Sequence, residues 1–163
     1  MHSIIRLIWR SIDLIMAALL TAMIAIVFAN VVLRYGFSSG IRVSVELSRL
    51  WFVWVVMLGA AVTLRRGEHL ALAEFAEAAF PKYIGLLRRA CWLVILVTVL
   101  MLFWGCMKQA MMNMANISPL TGLPSGLFYL AGVVSSVLMT AIAVVRIINP
   151  DSVKQVLAED GAE

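Results

Sequence analysis

The chain has 163 residues, 63% of them hydrophobic and only 13% charged, with a mean hydropathy of +1.00. That excludes an ordinary soluble domain, which would need a much larger charged surface. The net charge of +4 comes from basic residues at the ends of apolar runs, where they mark one membrane face and anchor to headgroups, so it gives no support to a nucleic-acid partner.

At ~20 residues per crossing, the length allows four crossings with short loops and no separate soluble domain. The first uncharged run is Leu14 to Leu33, closed by Arg34, and predicts a transmembrane helix over about 12–34. Arg6 and Arg10 precede it as in a secretory signal, but the run exceeds the ~7–15 apolar residues of a signal peptide, so a retained helix is expected. The second run, Leu50 to Leu64, is short for ~30 Å of hydrocarbon unless its helix starts near Val45, giving about 45–64. The third, Ala90 to Met107, lies between Arg89 and Lys108 and predicts a helix over about 89–108. The uncharged stretch from Gln109 to Val145 is too long for one helix. Pro119, Gly122 and Pro124 break it, and the fourth helix is placed at about 124–146. The expected fold is an all-α integral membrane protein forming a single membrane domain over 1–163.

Two connecting segments have structure of their own. Between the second and third helices, Leu72, Phe75, Ala76, Ala79 and Phe80 recur at helical spacing, with Glu74 and Glu77 elsewhere on the surface. They predict a short amphipathic interfacial helix over about 68–83. The segment from Ser38 to Arg49 also reads as partly helical. No internal repeat is visible, so the inverted-repeat signature of a self-contained transporter is missing.

Orientation follows the basic residues. The N-terminal segment, the loop after the second helix and the C-terminal tail carry nine Lys and Arg in all; Arg34, Arg42, Arg49 and Lys108 make four on the other side. Both termini and the middle loop are therefore expected in the cytoplasm.

Residues able to carry chemistry are few. Cys91 and Cys106 are fifteen residues apart on one helix, roughly 22 Å, and cannot bridge each other. His2 and His69 lie outside the apolar runs, so the paired axial ligands of a membrane haem protein are missing. There is no P-loop, metal-ligand cluster or nucleophile–base arrangement, and an enzyme or a cofactor is not expected. No carboxylate lies in the middle of any apolar run, where coupled carriers usually place ionisable groups.

What remains points to docking. Ala18, Ala22, Ala25 and Ala29 share a face of the first helix; Gly59, Ala60, Ala61 and Thr63 lie together on the second; Gly132, Ser136 and Thr140 recur every four residues on the fourth. Small residues let helices in lipid approach closely, within one chain or onto a second protein, and both readings stand open. Glu46 and Arg49, three apart, can pair with each other or meet a partner. Trp51 and Trp54 follow on a similar face, and together with Trp9, Trp92 and Trp104 read as interfacial belt residues. Asp13 reads as an end charge. Arg34, four residues after Asn30, reads as an arginine reaching up to the headgroups.

Several of these residues form an ordered pattern: Arg34-Tyr35-Gly36-Phe37, Glu46-Leu47-Ser48-Arg49, Phe52-Val53-Trp54, Leu58-Gly59-Ala60-Ala61, Gly67-Glu68-His69 and Ser118-Pro119-Leu120-Thr121-Gly122-Leu123-Pro124. The pattern spans about 30–145 and resembles the small, Q-type membrane subunit of tripartite ATP-independent periplasmic (TRAP) transporters. One position departs from it. Family members often have two adjacent acidic residues near Glu46, and here Val45 precedes it. The resemblance implies a bacterial inner-membrane uptake system. In it a periplasmic substrate-binding protein captures an organic acid, and a large M-type membrane subunit carries it inward on a sodium gradient. The small subunit scaffolds the large one, with docking of the periplasmic protein a further expectation. The implied substrate is a carboxylate such as a C4-dicarboxylate, a sugar acid or sialic acid. Arg34, Glu46, Arg49, Trp51, Trp54, Gly59, Ala60, Gly132 and Ser136 are then the candidate partner-interface residues, with membrane lipid as the remaining partner. The alternative is a self-sufficient homo-oligomeric four-helix exporter or channel, which is expected to place an ionisable residue mid-membrane.

Overall fold

A computed structural model describes residues 2–66 and 84–148 of the chain. They form four helices: α1 (His2–Gly36), α2 (Val43–Arg66), α3 (Ile84–Asn113) and α4 (Gly126–Ile148). Each is long and apolar enough to cross a membrane. The amphipathic helix expected over 68–83 lies outside the described residues.

The helices run past the charges that bounded the apolar runs. α1 begins before Arg6 and Arg10, and α3 continues through Lys108 to Asn113. Arginine and lysine are good helix formers, so a charge marks the edge of the hydrocarbon without ending the helix. What ends α1 is backbone geometry. Ser38 adopts φ 50°, and the amides of Phe37 and Ser39 both donate to the carbonyl of Leu33 at 3.1 Å. Asn30 then fastens the connection, its side-chain oxygen accepting from the Ile41 amide at 2.7 Å. Ser44, buried, donates its hydroxyl to the Ile41 carbonyl as α2 begins. Glu46 lies in the first turn of α2 and Arg65 and Arg66 in its last, as the helix dipole favours.

The α3–α4 connection is a small closed hairpin. Ser118 donates to Leu123 at 2.9 Å, Ser125 donates to Asn116 at 2.8 Å, and an isolated bridge joins Ile117 and Pro124. Gly122 turns the chain at φ +69° and donates to the Ser118 carbonyl. Pro124 therefore belongs to the hairpin, and α4 starts two residues later than the proline spacing suggested.

The chain divides into two compact units, with the division crossing α2 after Gly59, α3 after Gly105 and α4 after Gly132. In the first unit α1 and α2 run antiparallel, α1 residues 23–31 lying beside α2 residues 48–52. There too the end of α3 meets the start of α4 so closely that a Cβ on Gly126 would come within 2.9 Å of the Ala110 carbonyl oxygen. A Cβ on Gly132 would come within 2.5 Å of Cys106 Sγ. The second unit has a core of Ala61, Leu64, Trp92, Val99, Met139 and Ala143, with Ala60, Ile95, Leu96 and Ile142 packed around it. Alanines at the contacts bring the helices close, which in lipid is the main source of attraction between them.

Candidate partner-docking surface

The most apolar stretch of α1 has no buried residue over 18 positions, against 39% buried for α4. Of its alanine face, Ala18 and Ala25 are exposed and Ala22 and Ala29 half-buried. On α2, Val45, Arg49, Phe52 and Val56 form an exposed stripe at helical spacing. An open groove of about 540 Å³ runs between these two faces, with Val27, Phe28 and Val31 on one wall and Arg49 and Phe52 on the other.

Arg49 and Glu46 do not pair with each other. The Arg49 guanidinium lies 5.8 Å from the centroid of the Phe128 ring on α4. Glu46 turns instead toward Thr121, Leu123 and Pro124 of the hairpin, where its Oε2 is shielded and has no hydrogen-bond partner. Trp51 and Trp54 are half-buried, and Arg34 is exposed in the last turn of α1.

The small-residue candidates divide. Gly59 is half-buried, and a Cβ there would meet Met16 Sδ at 3.9 Å, an ordinary contact. Ala60 packs against the core of the second unit. Gly132 is buried beside Cys106, and Ser136 is fully buried with its hydroxyl bonded to the Val133 carbonyl at 2.8 Å. The structure thus brings Glu46, Arg49, Trp51, Trp54 and Gly59 into one unit with the unburied faces of α1 and α2. Ala60 and Ser136 lie in the other unit.

Two features escaped the sequence. The groove did, because α1 is apolar on every side and its periodicity cannot say which side stays uncovered. The other is Arg146. It lies in the last turn of α4 yet is buried, 4% exposed, with its guanidinium over the Trp92 ring and Nη2 donating to the Arg65 carbonyl. Trp92 is 1% exposed, so it is a core residue and not a member of a lipid-facing belt. Among the described residues no group of three or more His, Cys, Asp or Glu could hold a metal ion, and Cys91 and Cys106 are free thiols.

The sequence matches the family described as tripartite ATP-independent periplasmic transporters, DctQ component, over residues 23–152. A Haemophilus influenzae protein provisionally named a TRAP transporter small permease protein is 32% identical over 149 residues, covering 91% of this chain and 92% of the relative. A second Haemophilus influenzae protein with the same provisional name is 31% identical over 118 residues, 72% of each chain. The C4-dicarboxylate TRAP transporter small permease protein DctQ of Vibrio cholerae is 30% identical over 95 residues, 56% of this chain and 41% of that protein.

Proposed function

Since the chain belongs to the DctQ family of small TRAP permease subunits, we propose that it is the fixed scaffold against which a large membrane subunit works during sodium-driven uptake of an organic acid. As a multi-pass membrane protein in a tripartite system, it acts through contact. The observation that carries this reading is the unburied face of α1 with the exposed stripe Val45, Arg49, Phe52 and Val56 on α2. Helices in lipid gain little by hiding apolar surface from one another, but gain from close packing at small residues, and Gly59, Ala18 and Ala25 leave room for it. The only acidic residues among those described are Asp13, just before the apolar run of α1, and Glu46, in the first turn of α2. Neither supplies a mid-membrane site for a coupling ion.

The large M-type subunit is the permanent partner in this reading, and a periplasmic substrate-binding protein the transient one. The basic asymmetry supports an inner-membrane orientation with both termini in the cytoplasm. The hairpin at Ser118–Pro124 then faces the periplasm. The name of the Vibrio cholerae relative favours a C4-dicarboxylate among carboxylate substrates. The test is reconstitution. The chain alone gives no sodium-dependent uptake, and uptake appears when the large subunit and the binding protein are added. Solute flux through the chain by itself overturns the scaffold reading and favours a homo-oligomeric exporter.

A further inference from the structure

We infer that the groove between α1 and α2 binds an anionic phospholipid, its phosphate on Arg49 and one acyl chain along Val27, Phe28 and Val31. Arg49 is exposed, and its neighbours give it a ring face but no anion. Phe128 lies 5.8 Å away, and no described residue accepts a hydrogen bond from the guanidinium or forms an ion pair with it. Glu46, one turn earlier, faces the hairpin and does not line the groove. A cation–π contact leaves the in-plane N–H donors free, and their fork matches the oxygens of a phosphate.

Depth supports the same occupant. The uncharged run of α2, Leu50 to Leu64, is about 22 Å long at ~1.5 Å per residue, against ~30 Å of hydrocarbon. Centred in the bilayer, it leaves Arg49 a few ångströms inside the hydrocarbon edge, within reach of the headgroups by its own side chain. A charge there needs an anion or water. A lipid brings a phosphate to that level as a matter of course, whereas a partner helix would have to carry a carboxylate into the same layer. Apart from Ser48 and Arg49 the groove is lined by apolar side chains, and it follows α1 from Met23 to Val31, about 12 Å, which fits within one leaflet. A headgroup without a compensating ammonium is favoured, because Arg34 and Arg42 add exposed positive charge to the same connection.

The test uses the purified full chain in detergent, titrated with phosphatidylglycerol or phosphatidylcholine and read by native mass spectrometry. The wild type retains one phosphatidylglycerol in preference to phosphatidylcholine. Arg49→Gln lowers retention at least fivefold, Arg49→Lys keeps much of it, and Val27→Trp, which fills the groove, abolishes it. A phosphatidylglycerol with a photoreactive acyl chain labels residues 23–31 and 48–52 of the wild type, a readout that does not depend on how well any variant folds. Undiminished retention in both Arg49→Gln and Val27→Trp, or labelling spread evenly over four helices, overturns the site. On the docking face the lipid is expected to stay seated between the two proteins when the large subunit is added, and its complete loss also overturns the site. The first readouts need no partner, so they can fail while the scaffold reading stands.

Discussion

Arg146 and Trp92 form a buried pair, the guanidinium 5.2 Å from the centroid of the indole ring, and the same arginine caps the C-terminal end of α2 through the Arg65 carbonyl. One cation thereby joins three helices, α2, α3 and α4. It does so with one nitrogen, Nη1, left without a partner. Removing the ring takes away both packing and the cation's seat, whereas Arg146→Met keeps most of the packing and removes a costly buried charge. Trp92→Ala is expected to destabilise the detergent-solubilised chain by about 3–5 kcal/mol. Arg146→Met should cost no more than ~1–2 kcal/mol, chiefly the orphaned carbonyl. Thermal unfolding followed by circular dichroism checks the order, and a larger loss for Arg146→Met refutes it.

Gly126 should respond to a methyl group and Gly59 should not. The atom a Gly126 Cβ would strike is a backbone oxygen of α3, which cannot swing aside. Gly126→Ala is expected to lose about 1–3 kcal/mol through forced separation of α3 and α4. Gly59→Ala should leave the isolated chain unchanged within experimental error.

A larger side chain at Gly59 separates internal packing from docking. Gly59→Leu is expected to reduce retention by a tagged large subunit more than Glu46→Ala does. Packing at a small-residue contact is a main attraction available in lipid, and polar contacts between helices add only ~0.6–2 kcal/mol each. Retention and the melting temperature of the chain alone are measured together. A fall in melting temperature with retention intact assigns Gly59 to internal packing.

Asn30→Leu removes the acceptor of the Ile41 amide while leaving α1 helical. Amide exchange at Ile41 should accelerate about fivefold or more, corresponding to ~1 kcal/mol for one hydrogen bond. Hydrogen–deuterium exchange reports it directly, and unchanged protection at Ile41 shows that the amide is held by something else.

Orientation can be read by thiol labelling in a background lacking Cys91 and Cys106. A cysteine at Ser39 should react with an impermeant reagent in intact cells, while cysteines at Glu77 and Lys154 should react only after permeabilisation. Labelling at Lys154 in intact cells reverses the topology.

The four crossings were legible because lipid imposes a requirement that every residue of a span must meet, and apolar runs bounded by Arg34, Arg65, Arg89 and Arg146 record it directly. Helix ends were less legible, since charges mark the water boundary while hydrogen bonding ends helices. The Ser38 turn and the Pro124 bridge depend on contacts that composition does not encode. The candidate site was half legible. Glu46 and Arg49 stood out as polar residues at the edge of an apolar helix, but their partners did not. Phe128 and the hairpin are about eighty residues away in sequence, and no periodicity reports a contact of that range. The burial of Arg146 is hidden for the same reason: a basic residue at a helix end resembles a headgroup anchor until Trp92 and Arg65 are placed beside it.

α1 has 35 residues, about 52 Å of continuous helix, against ~30 Å of hydrocarbon. Tilting alone cannot absorb the difference, because even at ~40°, the steep end of the usual range, about 10 Å remain. The surplus belongs at the N-terminal end, where residues 2–13 precede the first apolar run and contribute about 18 Å. The first helix is therefore also a post reaching about two turns beyond the hydrocarbon at the least, through the headgroup layer on that side. A domain joined to it without a flexible linker would be held off the membrane surface and turned to one azimuth, so that rotating the join by one residue, ~100° on a helix of 3.6 residues per turn, would swing the attached domain around the post.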